Sequence, residues 1–295
     1  MGYLYLCIAL FAGTTKGFCG KKLSGHIQSV RGSLMANILR MLLCTLIGGG
    51  ILLFNQQLTA ATPSADLLFI GGLSGVATAV FVVTWLLLVR QNAYMLLDVF
   101  LMLGIVVPLA GCQLFFQEAI GAKHLFGILL LLIATWLMCG YNNRTKQKLS
   151  PLSLCLLILC GLSNGVVDFL QKVFVKNLPS TPVSVLNLYT YLFAAAALLL
   201  SLIFWKREAV DAPPQQSLKA IPYIAIMAVC LFAHSYFKTT AAQHLDAVLL
   251  YPLSQGAALI LSAIMAAVFF KERLNARCVI ALAIAFLALL LINFL

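Results

Sequence analysis

The sequence predicts an all-α membrane protein: ten transmembrane helices arranged as two inverted five-helix repeats. Three observations point there. Of 295 residues, 63% are hydrophobic and 9% charged, against roughly 25% charged in an ordinary soluble domain. That excludes a soluble globular enzyme and a disordered chain. The apolar residues fall into continuous runs close to the about 20 residues that cross a bilayer as a helix, without the alternation of a membrane strand. Short segments also recur, in order, in the two halves of the chain.

The first run, Tyr3–Phe18, has no basic residue before it and so lacks the positive start of a cleavable signal peptide. Leu34–Phe54, Leu67–Val89, Ala93–Phe116 and Leu125–Tyr141 complete the first five. Pro108 sits deep in the fourth run and should kink it. The polar, basic segment 142–150 (NNRTKQKLS) joins the halves, giving units 1–148 and 149–295. The second five runs are Leu152–Phe174, Val183–Trp205, Ala220–Ala242, Val248–Phe270 and Ala276–Leu295. Pro151, Pro182, Pro222 and Pro252 each fit a first helical turn or the residue before it.

The repeat rests on ordered matches. Phe115-Phe116-Gln117-Glu118 precedes the fifth run, and Phe269-Phe270-Lys271-Glu272 precedes the tenth, 154 residues later. Gly13-Thr14-Thr15-Lys16-Gly17 matches Gly161-Leu162-Ser163-Asn164-Gly165, and Asn37 pairs with Asn187. Five helices is an odd number, so the second half enters the membrane with the opposite orientation. Inverted repeats of this kind place a site near the midplane between them.

The five-plus-five layout and the two F-F-x-E segments resemble the EamA-like family of the drug/metabolite transporter superfamily. So does the ninth run, from Tyr251-Pro252-Leu253 into Phe270-Lys271-Glu272-Arg273-Leu274. The resemblance covers the whole chain. It implies a secondary-active transporter in the plasma membrane, not an enzyme. The cargo would be a small metabolite, whether amino acid-like, purine-like, another organic anion or a drug, moved outward and often by proton exchange. It implies a central cavity lined by helices 1, 3, 4, 6, 8 and 9. Where similar proteins often carry a proline early in helix 4, this chain has Asp98.

Ionisable residues at bilayer depth cost at least about 2.5–3.5 kcal/mol on insertion scales and mark functional positions. Lys16, its repeat partner Asn164, Lys238 and Arg40, together with Tyr251, are the candidates for substrate binding. Asp98, Asp168 and His234 are the candidates for carrying a coupled proton. Asp168 and Lys172 stand four apart, which predicts a local ion pair on one helix face. His234 and Lys238 share a face in the same way. Glu118 and Glu272 precede helix N-termini, where a negative charge is favourable, and read as structural. The intramembrane cations Lys16, Arg40 and Lys238 outnumber the acids, which favours a carboxylate or phosphate in the substrate.

Two strings suggest a rival class. Gly72-Leu73-Ser74-Gly75 resembles the serine motif of rhomboid intramembrane proteases, and Gly161-Leu162-Ser163-Asn164-Gly165 matches the nucleophile-elbow pattern. An intramembrane serine hydrolase using Ser74 or Ser163 would need a base such as His234. The elbow requires a strand before it, and small-xxx-small helix packing explains both strings. A passive channel is the third alternative, without a charge ring or filter-like loop to support it. No metal, nucleotide or prosthetic-group motif is present, so no cofactor is expected. The nine cysteines form no C-x-x-C and suggest neither a zinc site nor a disulfide framework. The expected partners are a small-molecule substrate, membrane lipid and a proton. No nucleic acid is expected: the net charge of +11 lies in the connections and suits lipid headgroups. The chain is expected as a monomer or homodimer.

Orientation follows from counting Lys and Arg by side. Connections 1–2, 3–4, 5–6, 7–8 and 9–10 carry thirteen of the nineteen, and the other side carries Lys123, Lys172 and Lys176. The positive-inside rule then puts both termini outside the cytoplasm.

Overall fold

The computed structural model describes residues 1–27, 29–90, 94–139, 151–204, 214–269 and 276–294. All regular structure among them is helical. The first half contains α1 (Gly2–Ser24), α2 (Val30–Phe54), a 3-10 turn (Leu58–Ala61), α3 (Ala65–Arg90), α4 (Tyr94–Leu103), α5 (Val106–Phe116) and α6 (Ala122–Cys139). The second contains α7 (Pro151–Asn177), α8 (Val183–Phe204), α9 (Pro214–Ala242), α10 (Ala247–Phe269) and α11 (Ala276–Phe294). By length and composition, six are long and apolar enough to cross a membrane: α2, α3, α7, α8, α10 and the Lys219–Ala242 part of α9. Shorter apolar helical stretches are Phe100–Phe116, Ala122–Ala134 and Val279–Ile292. Phe11, Leu46, Phe69, Leu114 and Ile203 stand exposed on the outside, a surface suited to lipid.

The fourth apolar run is two helices. Pro108 has no N–H to offer the Gly104 carbonyl, and Val107 N–H donates to it instead, one residue short of the α-helical register. The helix therefore breaks at Gly104–Ile105, upstream of the proline that causes it. The broken segment lies against α7. A Cβ on Gly161 would run into the Phe100 carbonyl, and one on Gly165 into that of Gly104. The G-x-S-x-G string is thus a close helix contact. Likewise, Gly71 and Gly75 of α3 seat Tyr189 and Phe193 of α8.

Two proline expectations need correction. Pro151 opens α7, and Pro182 directly precedes α8. Pro222, however, lies inside α9, which begins two turns earlier at Pro214, and Pro252 lies inside α10. The α2 start also moves forward. Ser29 caps it, its hydroxyl accepting from Gly32 N–H at 2.9 Å.

The helices pack chiefly across the two halves. α1 lies along α9, α3 along α7 and α8, α2 along α8 and α9, and α6 along α11. Four apolar clusters surround the middle. One joins α5, α6, α10 and α11, including Leu131, Ala134, Ala285 and Tyr251. A second joins the ends of α1 and α3 to α7 and α9 through Leu23, Trp85 and Met227. The others bind α2 and α3 to α8 and α9, and α2 and α3 to α7 and α8. The polar side chains collect between these clusters. Cys7, Cys19, Cys44, Cys112, Cys155 and Cys230 are free thiols.

Candidate functional site

α7 and α9 carry the polar core. Asp168 on α7 takes Lys238 of α9 with both carboxylate oxygens, at 2.7 and 2.8 Å. Both side chains are almost fully buried, at 4% and 3% exposed. Charges taken out of water this far are tolerated only when paired and hydrogen-bonded. Tyr251 of α10, fully buried, donates its hydroxyl to the Asp168 backbone carbonyl at 2.6 Å. Its ring also lies 5.7 Å from the Lys238 ammonium. One turn further along, Gln171 donates to Ser235, whose hydroxyl donates to Asn187 of α8.

The expected Asp168–Lys172 pair does not form. Lys172 turns to the far end of α9 and donates to the carbonyls of Ala242 and Leu245 at 3.1 and 2.7 Å. Carbonyls at a helix C-terminus lack partners within the helix and attract a cation. Lys172 also faces Glu118 at 3.5 Å, and Lys176 faces the same carboxylate at 3.4 Å. The second Glu118 oxygen accepts the Ala247 N–H at the start of α10. Glu118 is structural, as its position suggested, but it serves the α10 terminus rather than the helix next in sequence. Glu272 lies outside the described residues. Lys172, placed among the surface charges in the orientation count, is 2% exposed, which leaves that side with Lys123 and Lys176.

Three cavities of about 80, 40 and 10 Å³ share Lys16 and Phe81 in their walls. The largest is lined by α1, α3, α4, α7, α9 and α10. These are helices 1, 3, 4, 6, 8 and 9 of the ten-run numbering, the set implied by the resemblance. Lys16 and Asn164 both face it, although they lie in opposite halves. His234 lines it too. Its Nδ1 donates to the Ala9 carbonyl at 2.8 Å, an approach possible because Gly13 has no side chain: a Cβ there would stand 2.9 Å from Nδ1. In a neutral ring Nε2 is then the acceptor. The second cavity joins Lys16 and Asn164 to Asp168, Lys238, Gln171 and Thr190. The Gln171 Oε1 and Thr190 Oγ1 atoms are buried there without a partner in the protein.

Arg40 of α2 is 3% exposed and reaches the smallest cavity beside Lys16, Phe81 and Trp85. Its Nε has no acceptor. Tyr251 is not among the residues lining the three cavities; it braces Asp168 from behind. The side chain of Asp98, on α4, lies outside those described. Ser163 donates its hydroxyl to Leu159 O one turn back, at 2.6 Å, and Ser74 is buried at 1% exposed. Phe81, Gln171, Ser235 and Thr190 carried no signal in the sequence: neutral or aromatic residues in apolar runs become legible only once helices cross.

Residues 151–294 match the model of the EamA-like transporter family. No curated protein gives a significant match. One solved structure, described only as a crystal structure of a protein, superposes with a TM-score of 0.73 over 99% of this chain and 97% of its own, at 15% identity. At that identity the likeness speaks for the fold alone.

Proposed function

We propose, from the premise that the chain belongs to the EamA-like transporter family of the drug/metabolite transporter superfamily, that it is a secondary-active exporter of a small metabolite. The single observation carrying this is the buried polar cavity around Lys16, walled by helices from both halves. In this mechanism substrate binds between two inverted five-helix repeats, with α4 and α5 counted as one span to give ten. Rocking of one repeat against the other exposes the site to each side in turn.

The helix contacts support the repeat. If α1 corresponds to α7 and α3 to α9, then α1 along α9 and α7 along α3 are the same contact seen twice. α2 with α8 and α6 with α11 are contacts that exchange into themselves. Each of the paired asparagines bonds to the following span, one as donor and the other as acceptor. Asn37 of α2 donates to Val82 O of α3, and Asn187 of α8 accepts from Ser235 of α9.

Lys16, Asn164, Lys238 and Arg40 form the binding set in this proposal, and Tyr251 holds Asp168 in place. The coupled proton is assigned to Asp168, His234 or Asp98. Protonating Asp168 would release Lys238 and loosen the α7–α9 contact, linking charge to helix movement. The protein resides in the plasma membrane with both termini outside. A metabolite panel tested for uptake and efflux in proteoliposomes checks the proposal: gradient-driven movement of at least one compound is expected, and none across the panel would contradict it.

A further inference from the structure

We infer that the cavity is built for a substrate head group carrying two negative charges, a dicarboxylate or a phosphate monoester, held by Lys16 and Arg40. This rests on the transporter proposal above and narrows its substrate class. The described side chains lining the three cavities include three cations, Lys16, Arg40 and Lys238, and one acid, Asp168. Both oxygens of Asp168 are committed to Lys238. Two cations therefore remain without a carboxylate among the described side chains. Lys16 has the Phe81 ring at 5.7 Å. Arg40 is buried with Nε unpartnered.

The two meet in one compartment whose other walls are Phe81, Val82, Trp85 and Leu231. Like charges against apolar walls repel strongly, since little solvent screens them. Uncompensated charges in such surroundings are costly unless a counter-charge arrives. A guanidinium presents a planar fork matched to the paired oxygens of carboxylate or phosphate, and an ammonium adds a point charge beside it. A singly charged zwitterion would leave one positive charge over and bring in another. That compartment is only about 10 Å³, so the head group sits in the adjoining cavity of about 80 Å³ that Lys16 also lines, with the Arg40 fork reaching it from the side; both are well below the about 300 Å³ of a drug-sized pocket, which suits a small molecule.

The test uses purified full-length protein, with succinate and glycerol 3-phosphate as probes and alanine, putrescine and sodium chloride as controls at equal ionic strength. Binding is read by calorimetry and thermal unfolding, and counterflow of the same compounds is followed in proteoliposomes. We expect one or both dianions to bind, and Lys16→Gln and Arg40→Gln each to weaken binding at least about tenfold, as loss of a charged hydrogen bond does. Arg40→Lys, which keeps the charge if the glutamine variant does not fold, should lose less than Arg40→Gln and still bind. Binding of alanine or putrescine in preference to the dianions overturns the inference, as does equal stabilisation by chloride or no dianion binding. Dianion binding without counterflow upholds the inference and contradicts the transporter proposal; counterflow of a control alone does the reverse.

Discussion

Replacing Asp168 with Asn leaves the Lys238 ammonium at 3% exposure without its counter-charge and with only one of the two oxygens that hold it at 2.7 and 2.8 Å. Breaking a buried pair from one side costs about 3–5 kcal/mol, because the remaining charge is stranded. Lys238→Met strands the carboxylate and should cost a similar amount. The double variant strands neither, and a neutral pair of similar volume is often as stable as the ions it replaces. The three-way comparison should therefore give a coupling energy of at least about 2 kcal/mol. The assay is equilibrium unfolding in mixed micelles as the fraction of denaturing detergent rises, followed by tryptophan fluorescence. Lys172→Met is the control. Were Asp168 paired with its helix neighbour, coupling would appear there at about 0.2–0.5 kcal/mol, and Lys238 would contribute none. Additive effects of Asp168→Asn and Lys238→Met would refute the cross-helix pair.

Three further outcomes follow from the packing and the charge count. Gly161→Ala and Gly165→Ala should each destabilise the protein by about 1–3 kcal/mol, since a methyl there meets the carbonyls of Phe100 and Gly104; the same unfolding assay measures it. Glu118→Ala should cost about 1–3 kcal/mol by removing the acceptor for Ala247 N–H and the counter-charge of Lys172 and Lys176, read in that assay at fixed pH. On a cysteine-free background, a membrane-impermeant reagent applied to intact cells should label a single cysteine at Thr62, an exposed position after the 3-10 turn, and spare one at Thr145; the opposite pattern would reverse the orientation.

Much of this organisation is written in the chain. Apolar run length announces the helices, because the bilayer fixes how much apolar chain a span needs. Pro108 announces the break in the fourth run, since a missing donor disrupts the backbone register whatever surrounds it. Glycine spacing foretells that α7 meets another helix closely at Gly161 and Gly165, because backbones approach where side chains are absent, but not that the partner is the broken fourth run. Charge pairing was not legible in the same way. Sequence distance offered Lys172 as the partner of Asp168, whereas Lys238, 70 residues away, takes it. Helix neighbours compete with every helix that packs alongside, and packing is not encoded in local spacing. Lys172 itself shows the limit: besides Glu118, its hydrogen bonds go to backbone carbonyls at the end of α9, and backbone acceptors leave no mark in a sequence.

A cavity that opens to each side of the membrane in turn makes the same wall residue reachable from both. Ser254 of α10 is 3% exposed and lines the cavity of about 80 Å³ beside Lys16 and His234. Ser254→Cys, on a cysteine-free background, can be offered a small impermeant thiol reagent in right-side-out and in inside-out vesicles. Reaction is expected from both sides in separate experiments, since the same position faces each side in turn. Reaction from one side alone, or from neither, would contradict alternating access.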